Sequence, residues 1–167
     1  MKKVSVIGCP GAGKTEFSRQ LAKATNLPLT HLDFIYHDNH YDYTTNRDSW
    51  RKRVTKLVIQ KSWIIDGNYK STFDIRLPAS NTIILLDYPT YICLWRAMKR
   101  RVQYRASVRK DMPSNWKEKL DGNFFWFIVR FRARNAKRMR ELLQQYKDKE
   151  IVIFTHPKQA AKYLSLV

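Results

Sequence analysis

The 167 residues carry 32 Lys and Arg against 14 Asp and Glu, a formal charge of +18, with 44% hydrophobic and 13% aromatic side chains. That apolar content excludes a disordered chain, and no apolar run approaches the roughly 20 residues of a bilayer-spanning helix. The length suits one compact domain over residues 1–167, and the charge predicts anionic partners without saying which.

Met1 to Ile7 is broken at once by glycines and Lys14, so Val4–Ile7 reads as a buried strand and not as a secretion signal. Thr15–Thr25 follows as a helix, with Phe17, Leu21 and Ala24 about one turn apart. Leu27–Leu32 is a short second strand, closed by Asp33. Asp48–Lys61 carries Trp50, Val54, Leu57 and Val58 at helical spacing. Trp63–Asp66 and Thr82–Asp87 are buried strands, each ending in an aspartate. Pro89 opens a helix to about Arg105, and Asp111–Asn123, with Pro113 and Gly122, is a loop or mobile insert. Phe124–Tyr146 is a long helix with an apolar seam of Ile128, Phe131, Met139, Leu142 and Tyr146. Glu150–Phe154 is the last strand and Lys158–Leu166 the closing helix. No repeat or linker interrupts this alternation. Apolar strands alternating with helices predict an α/β domain, its parallel sheet of about five strands covered on both faces. Ligands in such sheets sit beyond the carboxyl ends of the strands, where Gly8, Asp33, Asp66, Asp87 and Thr155 fall. Cys9 and Cys93 show no metal-type spacing, which fits free thiols in a reducing cytoplasm.

The decisive motif is Gly8-Cys9-Pro10-Gly11-Ala12-Gly13-Lys14-Thr15, a full match to G-x-x-x-x-G-K-[ST]. It follows an apolar strand and opens a helix. Its glycines let backbone N–H groups converge on a phosphate, and the helix N-terminus adds positive potential. Lys14 reaches the outer phosphates, and the Thr15 hydroxyl is a magnesium ligand. ATP and Mg2+ are the implied cofactors. Cys9 lies inside this loop, where a helix N-terminus could lower its pKa and allow a redox role, but the preferred reading is a small tolerated residue.

The loop resembles the Gly-x-Pro-Gly-x-Gly-Lys form of adenylate kinase and other small-molecule kinases. Over nearly the whole chain the sequence resembles the bacterial DNA-topology-modulation proteins of that superfamily. The shared segments are His31-Leu32-Asp33, Trp63-Ile64-Ile65-Asp66-Gly67-Asn68-Tyr69, Leu86-Asp87-Tyr88-Pro89 and the arginine-rich helix after them. The resemblance implies a three-layer P-loop NTPase fold with a short mobile lid at about 103–123. It also implies that Arg96 stacks on adenine, that Arg100 touches phosphate, and that adenine rests near His156-Pro157, where Pro157 either packs on the base or starts a helix.

Asp66 is the expected magnesium carboxylate, acting through water, with Asp87 as rival. Asp33 is the expected orienter of an acceptor hydroxyl, or else a turn former. Tyr36, Tyr41, Tyr43, Trp50, Tyr69 and Phe73 either line a ring-shaped acceptor or form core. Lys70 sits where adenylate kinases carry an arginine for the acceptor's phosphate, but Asn68 and Tyr69 depart from that pattern. Arg130, Arg134 and Arg138 recur four apart on the returning helix, and Arg134 is the candidate phosphate contact. The resulting expectation is ATP-dependent phosphoryl transfer to a small nucleotide-like or hydroxyl-bearing acceptor, with ATP hydrolysis as side activity and no membrane association. Under this reading any nucleic-acid contact is weak; the alternative is an ATP-responsive nucleic-acid-binding protein influencing DNA topology, in which ATP is a switch and the basic surface grips DNA or RNA.

Overall fold

The computed structural model describes residues 1–38, 46–103 and 122–167. Five strands, β1 (Lys3–Gly8), β2 (Leu29–His31), β3 (Trp63–Asp66), β4 (Thr82–Leu86) and β5 (Glu150–Phe154), form one sheet in the order β2-β3-β1-β4-β5. Every pairing is parallel. The helices are α1 (Lys14–Thr25), α2 (Leu32–Asp38), α3 (Arg47–Val58), α4 (Phe73–Ala79), α5 (Thr90–Gln103), α6 (Gly122–Phe131), α7 (Lys137–Leu143) and α8 (Pro157–Leu164).

The central strands are apolar at consecutive positions because both faces of the sheet are covered. Successive strand residues point to opposite faces. Accordingly, Trp63 and Ile65 join a core with Leu32, Trp50 and Val54 of α2 and α3. Ile64 between them joins the main core, built with Phe17, Leu21, Ala97, Ile128 and Met139. The result is a three-layer α/β fold in which β1 lies central, between β3 and β4. No helix among the described residues is long and apolar enough to cross a membrane.

Three sequence expectations change. The second strand stops at His31, and α2 begins at Leu32, so Asp33 stands in the first turn of a helix instead of closing the strand. A carboxylate in a first helical turn is favoured by the N–H groups exposed there. Second, α4 and the 3-10 turn Lys70–Thr72 before it were not expected. Seven residues containing Pro78 are too few for a helical period to register. Third, the returning helix is not continuous: a π-turn at Arg132–Ala136 separates α6 from α7. The wider turn shifts the phase of the apolar seam, so that Leu143 is buried together with Ile128, Phe131 and Met139, while Leu142 and Tyr146 are only half-buried. Residues 104–121 of the expected lid, including Arg105, Arg109 and most of the Asp111–Asn123 segment, lie outside the described residues, as do Tyr41 and Tyr43. Gly122 and Asn123, expected in the loop, open α6.

The described members of the aromatic group, Tyr36, Trp50, Tyr69 and Phe73, lie in the core. Tyr36, Trp50 and Tyr69 stack on one another, with ring centroids 4.8–5.2 Å apart. Trp50 is 1% exposed and Tyr36 and Tyr69 are 8% exposed, which leaves no face for a ligand. Phe73 is buried in the other core, under the Arg76 guanidinium. Truncating Trp50 to alanine should therefore lower the unfolding free energy by about 3–5 kcal/mol in urea titrations. A loss below about 1 kcal/mol would contradict the core assignment.

Candidate functional site

The loop between β1 and α1 occupies the carboxyl end of the central strand. Gly11 has φ +81°, and a Cβ there would collide with the Cys93 carbonyl of α5, so only glycine lets the loop pass this close to the helix. Cys9 N–H donates to the Leu86 carbonyl at 3.2 Å, and Ala12 N–H donates to the Cys9 carbonyl at 3.1 Å. Lys14 folds back over the loop, its ammonium 3.2 Å from both the Gly8 and the Cys9 carbonyl oxygens. Thr15 is half-buried in the first turn of α1. From α5, Arg96 donates to the Ala12 carbonyl at 2.6 Å and lies over the Tyr88 ring at 5.5 Å. Arg96 thus grips the outside of the loop, and Arg100 is half-buried one turn further along α5.

On one side of β1, the register places Asp66 opposite Val6. Asp66 is 4% exposed. Its Oδ1 lies 2.9 Å from His31 Nδ1 at the end of β2. Its Oδ2 is buried with no hydrogen-bond partner among the described residues. A buried carboxylate oxygen without a donor is costly, and a metal-bound water or a ligand hydroxyl are the groups that would satisfy it. Asn68, two residues on, bonds both sides of the Gly8 peptide. Arg76 of α4, fully buried, donates to the Gly67 carbonyl at 3.0 Å and to Thr72 Oγ1 at 3.2 Å. Sequence reasoning missed His31, Asn68 and Arg76 as site builders. The signal for His31 and Asn68 was their place in the segments His31-Leu32-Asp33 and Trp63–Tyr69, and Arg76 had no signal at all.

On the other side of β1, Asp87 follows β4 and is equally buried, but both its oxygens are engaged. Arg140 of α7 donates through Nε at 2.9 Å and through a second guanidinium nitrogen to Oδ2, and Arg132 Nε stands 3.7 Å from Oδ1. The cations that reach the strand ends from the returning helix are therefore Arg132 and Arg140, and both serve Asp87. Arg134, the expected phosphate contact, is exposed on the π-turn. A cleft of about 690 Å³ opens here, lined by Asp87, Thr90, Arg132, Lys137, Arg140 and Glu141 among others. Lys70 is exposed and donates to Asn135 Oδ1 of the same π-turn. Pro157 is the first residue of α8. His156 accepts from Lys158 N–H at 3.2 Å, and Gln159 Oε1 accepts from His156 N–H at 3.1 Å. That reciprocal capping explains His156-Pro157 as a helix start.

Three strand ends thus converge: a glycine-lined loop with a lysine at its mouth, a buried carboxylate with an open oxygen, and an arginine pair locked on a second carboxylate. No family model and no curated protein matches the chain. Solved structures do. It is similar to a shikimate kinase from Bacteroides thetaiotaomicron (TM-score 0.62, 16% identity, 99% of this chain and 95% of that one). It is also similar to a shikimate kinase from Acinetobacter baumannii in complex with shikimate (TM-score 0.55, 18% identity, 99% and 92%). A sugar kinase from Janibacter sp. is a third (TM-score 0.51, 16% identity, 98% and 91%). The fold is that of the P-loop kinases. At these identities the likeness speaks for the fold, and it does not single out the DNA-topology-modulation proteins.

Within this P-loop fold, Cys9 departs from the expectation of a lowered pKa. A hydrogen bond to Cys93 and burial push its thiol far above the usual range, outweighing the Lys14 charge that would lower it. Both thiols are buried, Cys9 4% and Cys93 0% exposed. A protonated, shielded thiol is a poor nucleophile. Iodoacetamide at about pH 8 should accordingly leave native Cys9 unmodified over a time in which the urea-unfolded chain is fully alkylated. Rapid native labelling at Cys9, located by peptide mass spectrometry, is the contrary result.

Proposed function

We propose that this protein is an ATP-dependent kinase that transfers the γ-phosphoryl group to the hydroxyl of a small molecule, with slow ATP hydrolysis when no acceptor is bound. The observation that carries this reading is the pairing of the phosphate loop and Lys14 with the open Oδ2 of Asp66 at the end of the adjacent strand. The likeness to kinases named for shikimate and for sugars supports a hydroxylated acceptor over a nucleotide. So do the residues after Asp66, where Asn68 and the buried Tyr69 replace the nucleotide-kinase pattern.

In this reading the loop N–H groups and Lys14 hold the β and γ phosphates, and phosphoryl transfer needs little beyond such positioning and charge. Thr15 and Asp66 are the residues that would hold magnesium, Asp66 through water, and the ion would supply charge neutralisation across the phosphate oxygens. The unpartnered Asp66 oxygen fits that role, and Asp87, saturated by Arg132 and Arg140, does not. Asp33, half-exposed in the first turn of α2, is proposed to orient the acceptor hydroxyl and take its proton. Arg96 would exchange Tyr88 and the Ala12 carbonyl for the adenine ring, with Pro157 on the base's other side. Arg100 and Arg134 would meet phosphate. A cytoplasmic enzyme of the DNA-topology-modulation type remains the finer placement we favour, on the shared segments named above.

Two experiments test the proposal. Lys14→Ala should reduce ATP turnover by about 10²–10³-fold while thermal unfolding stays cooperative. A folded Lys14→Ala protein that hydrolyses ATP at the parent rate would falsify this nucleotide site. Magnesium titration then separates the carboxylates. Asp66→Asn should raise the magnesium concentration for half-maximal activity by about tenfold or more. Asp87→Asn should leave that midpoint in place and instead lower stability, by about 1–3 kcal/mol, because Arg132 and Arg140 lose their anionic partner and one oxygen becomes an NH2 facing them. The reverse ranking would move magnesium to β4.

A further inference from the structure

We infer that Asn68 is a positioning residue that frees Lys14 to engage phosphate, by holding the Gly8 carbonyl when the lysine leaves it. The inference rests on the nucleotide-binding reading above.

Asn68 Oδ1 accepts from Gly8 N–H at 3.0 Å and Asn68 Nδ2 donates to the Gly8 carbonyl at 2.6 Å, a two-point amide pair between residues 60 apart in sequence. The reach is made by Gly67. Its φ of +131° lies where side chains are strained, and a Cβ there would press against Leu32 and Tyr69 at 3.0 and 3.3 Å. Gly67 N–H is tied to the Val6 carbonyl at 3.2 Å, and its own carbonyl is held by Arg76 at 3.0 Å. The turn that swings Asn68 back over β1 is therefore fixed from both sides.

The carbonyls that Lys14 touches show what this arrangement does. Lys14 donates to the Gly8 and Cys9 oxygens, both on buried residues. Each must keep a donor if the ammonium is to swing out to a triphosphate, because an unpaired buried carbonyl is penalised. The Cys9 carbonyl keeps Ala12 N–H. The Gly8 carbonyl keeps Asn68 Nδ2. A carbonyl oxygen has two lone pairs, so it holds both donors in the free protein and loses only one on release of the lysine. Without Asn68, Lys14 would be the Gly8 carbonyl's remaining side-chain donor and would be retained on the loop.

The test is a double-mutant cycle read as affinity for magnesium and a non-hydrolysable ATP analogue, measured by calorimetry, with weak complexes followed by competition at millimolar analogue. Asn68→Ala should weaken binding by about tenfold, with a melting temperature near the parent's. In a Lys14→Met background the same Asn68→Ala change should alter affinity by less than about twofold, because no lysine has to be released. Equal losses in both backgrounds, or no loss in the parent background, overturn the inference: the first would make Asn68 a general support of the loop and the second an incidental contact. Failure of the parent protein to bind the analogue would count against the nucleotide site itself, a separate outcome.

Discussion

The carboxyl end of β1 has to meet two demands at once. It lies in the middle of a sheet buried on both faces, where every backbone group needs a partner. It must also turn its following N–H groups away from the sheet to face a ligand. The Gly8 peptide is where these demands meet. Asn68 holds it from the β3 side, the next N–H goes to Leu86 on the β4 side, and Lys14 caps the carbonyls from above. With its lateral hydrogen bonds supplied by neighbouring strands, the loop needs no side chains of its own. The adjoining strand ends are then brought to this point by the parallel register, Asp66 through Val6 and Asp87 one residue past the Leu86–Gly8 pair.

The two buried carboxylates flank β1 almost symmetrically in topology and differ completely in what surrounds them. Asp87 meets two guanidinium groups, one from the π-turn and one from α7, and this ties the returning helix to the sheet. Both Arg140 nitrogens meet Oδ2 and Arg132 adds a longer ion pair at Oδ1, so the charge of this buried carboxylate is compensated within the protein. Asp66 meets one imidazole nitrogen and keeps a buried oxygen with no donor among the described residues. One carboxylate is tied to the returning helix and the other is not. Their division of roles follows from which side of the central strand the arginine-bearing helix packs on.

Much of this was legible in the sequence, and unevenly so. All five strands and the phosphate loop were readable, because unbroken apolar runs ending in Gly8, Asp66 and Leu86-Asp87 carry a strong local signal. The phase of the returning helix was not. A π-turn adds a residue to one turn without changing residue chemistry, so Leu142 and Leu143 look alike until the backbone is seen. For the same reason periodicity could not show that Arg132 and Arg140 would be the residues that reach Asp87. The short α2 and α4 fall below the length at which helical spacing separates from chance, and Asp33 moved from a strand end to a helix start as a result. Asn68 and His31 act on partners 60 and 35 residues away, and a chain read in order shows no such pairing.

The +18 charge takes a different meaning once the cations near the loop are followed individually. Lys14 and Arg96 do not wait in solvent. Both donate to neutral backbone carbonyls of the loop itself, of Gly8 and Cys9 in one case and of Ala12 in the other. Arrival of a polyphosphate is therefore an exchange, in which carbonyl acceptors are replaced by anionic ones. A charge-assisted bond is roughly twice as strong as its neutral counterpart, so the exchange runs toward an anion and has no driving force for a neutral ligand. For Lys14 the exchange also demands that the Gly8 and Cys9 carbonyls remain paired, which Asn68 and the Ala12 amide provide. In the nucleotide-binding reading proposed above, selectivity for a polyanion would thus come from cations that are already bonded to the loop.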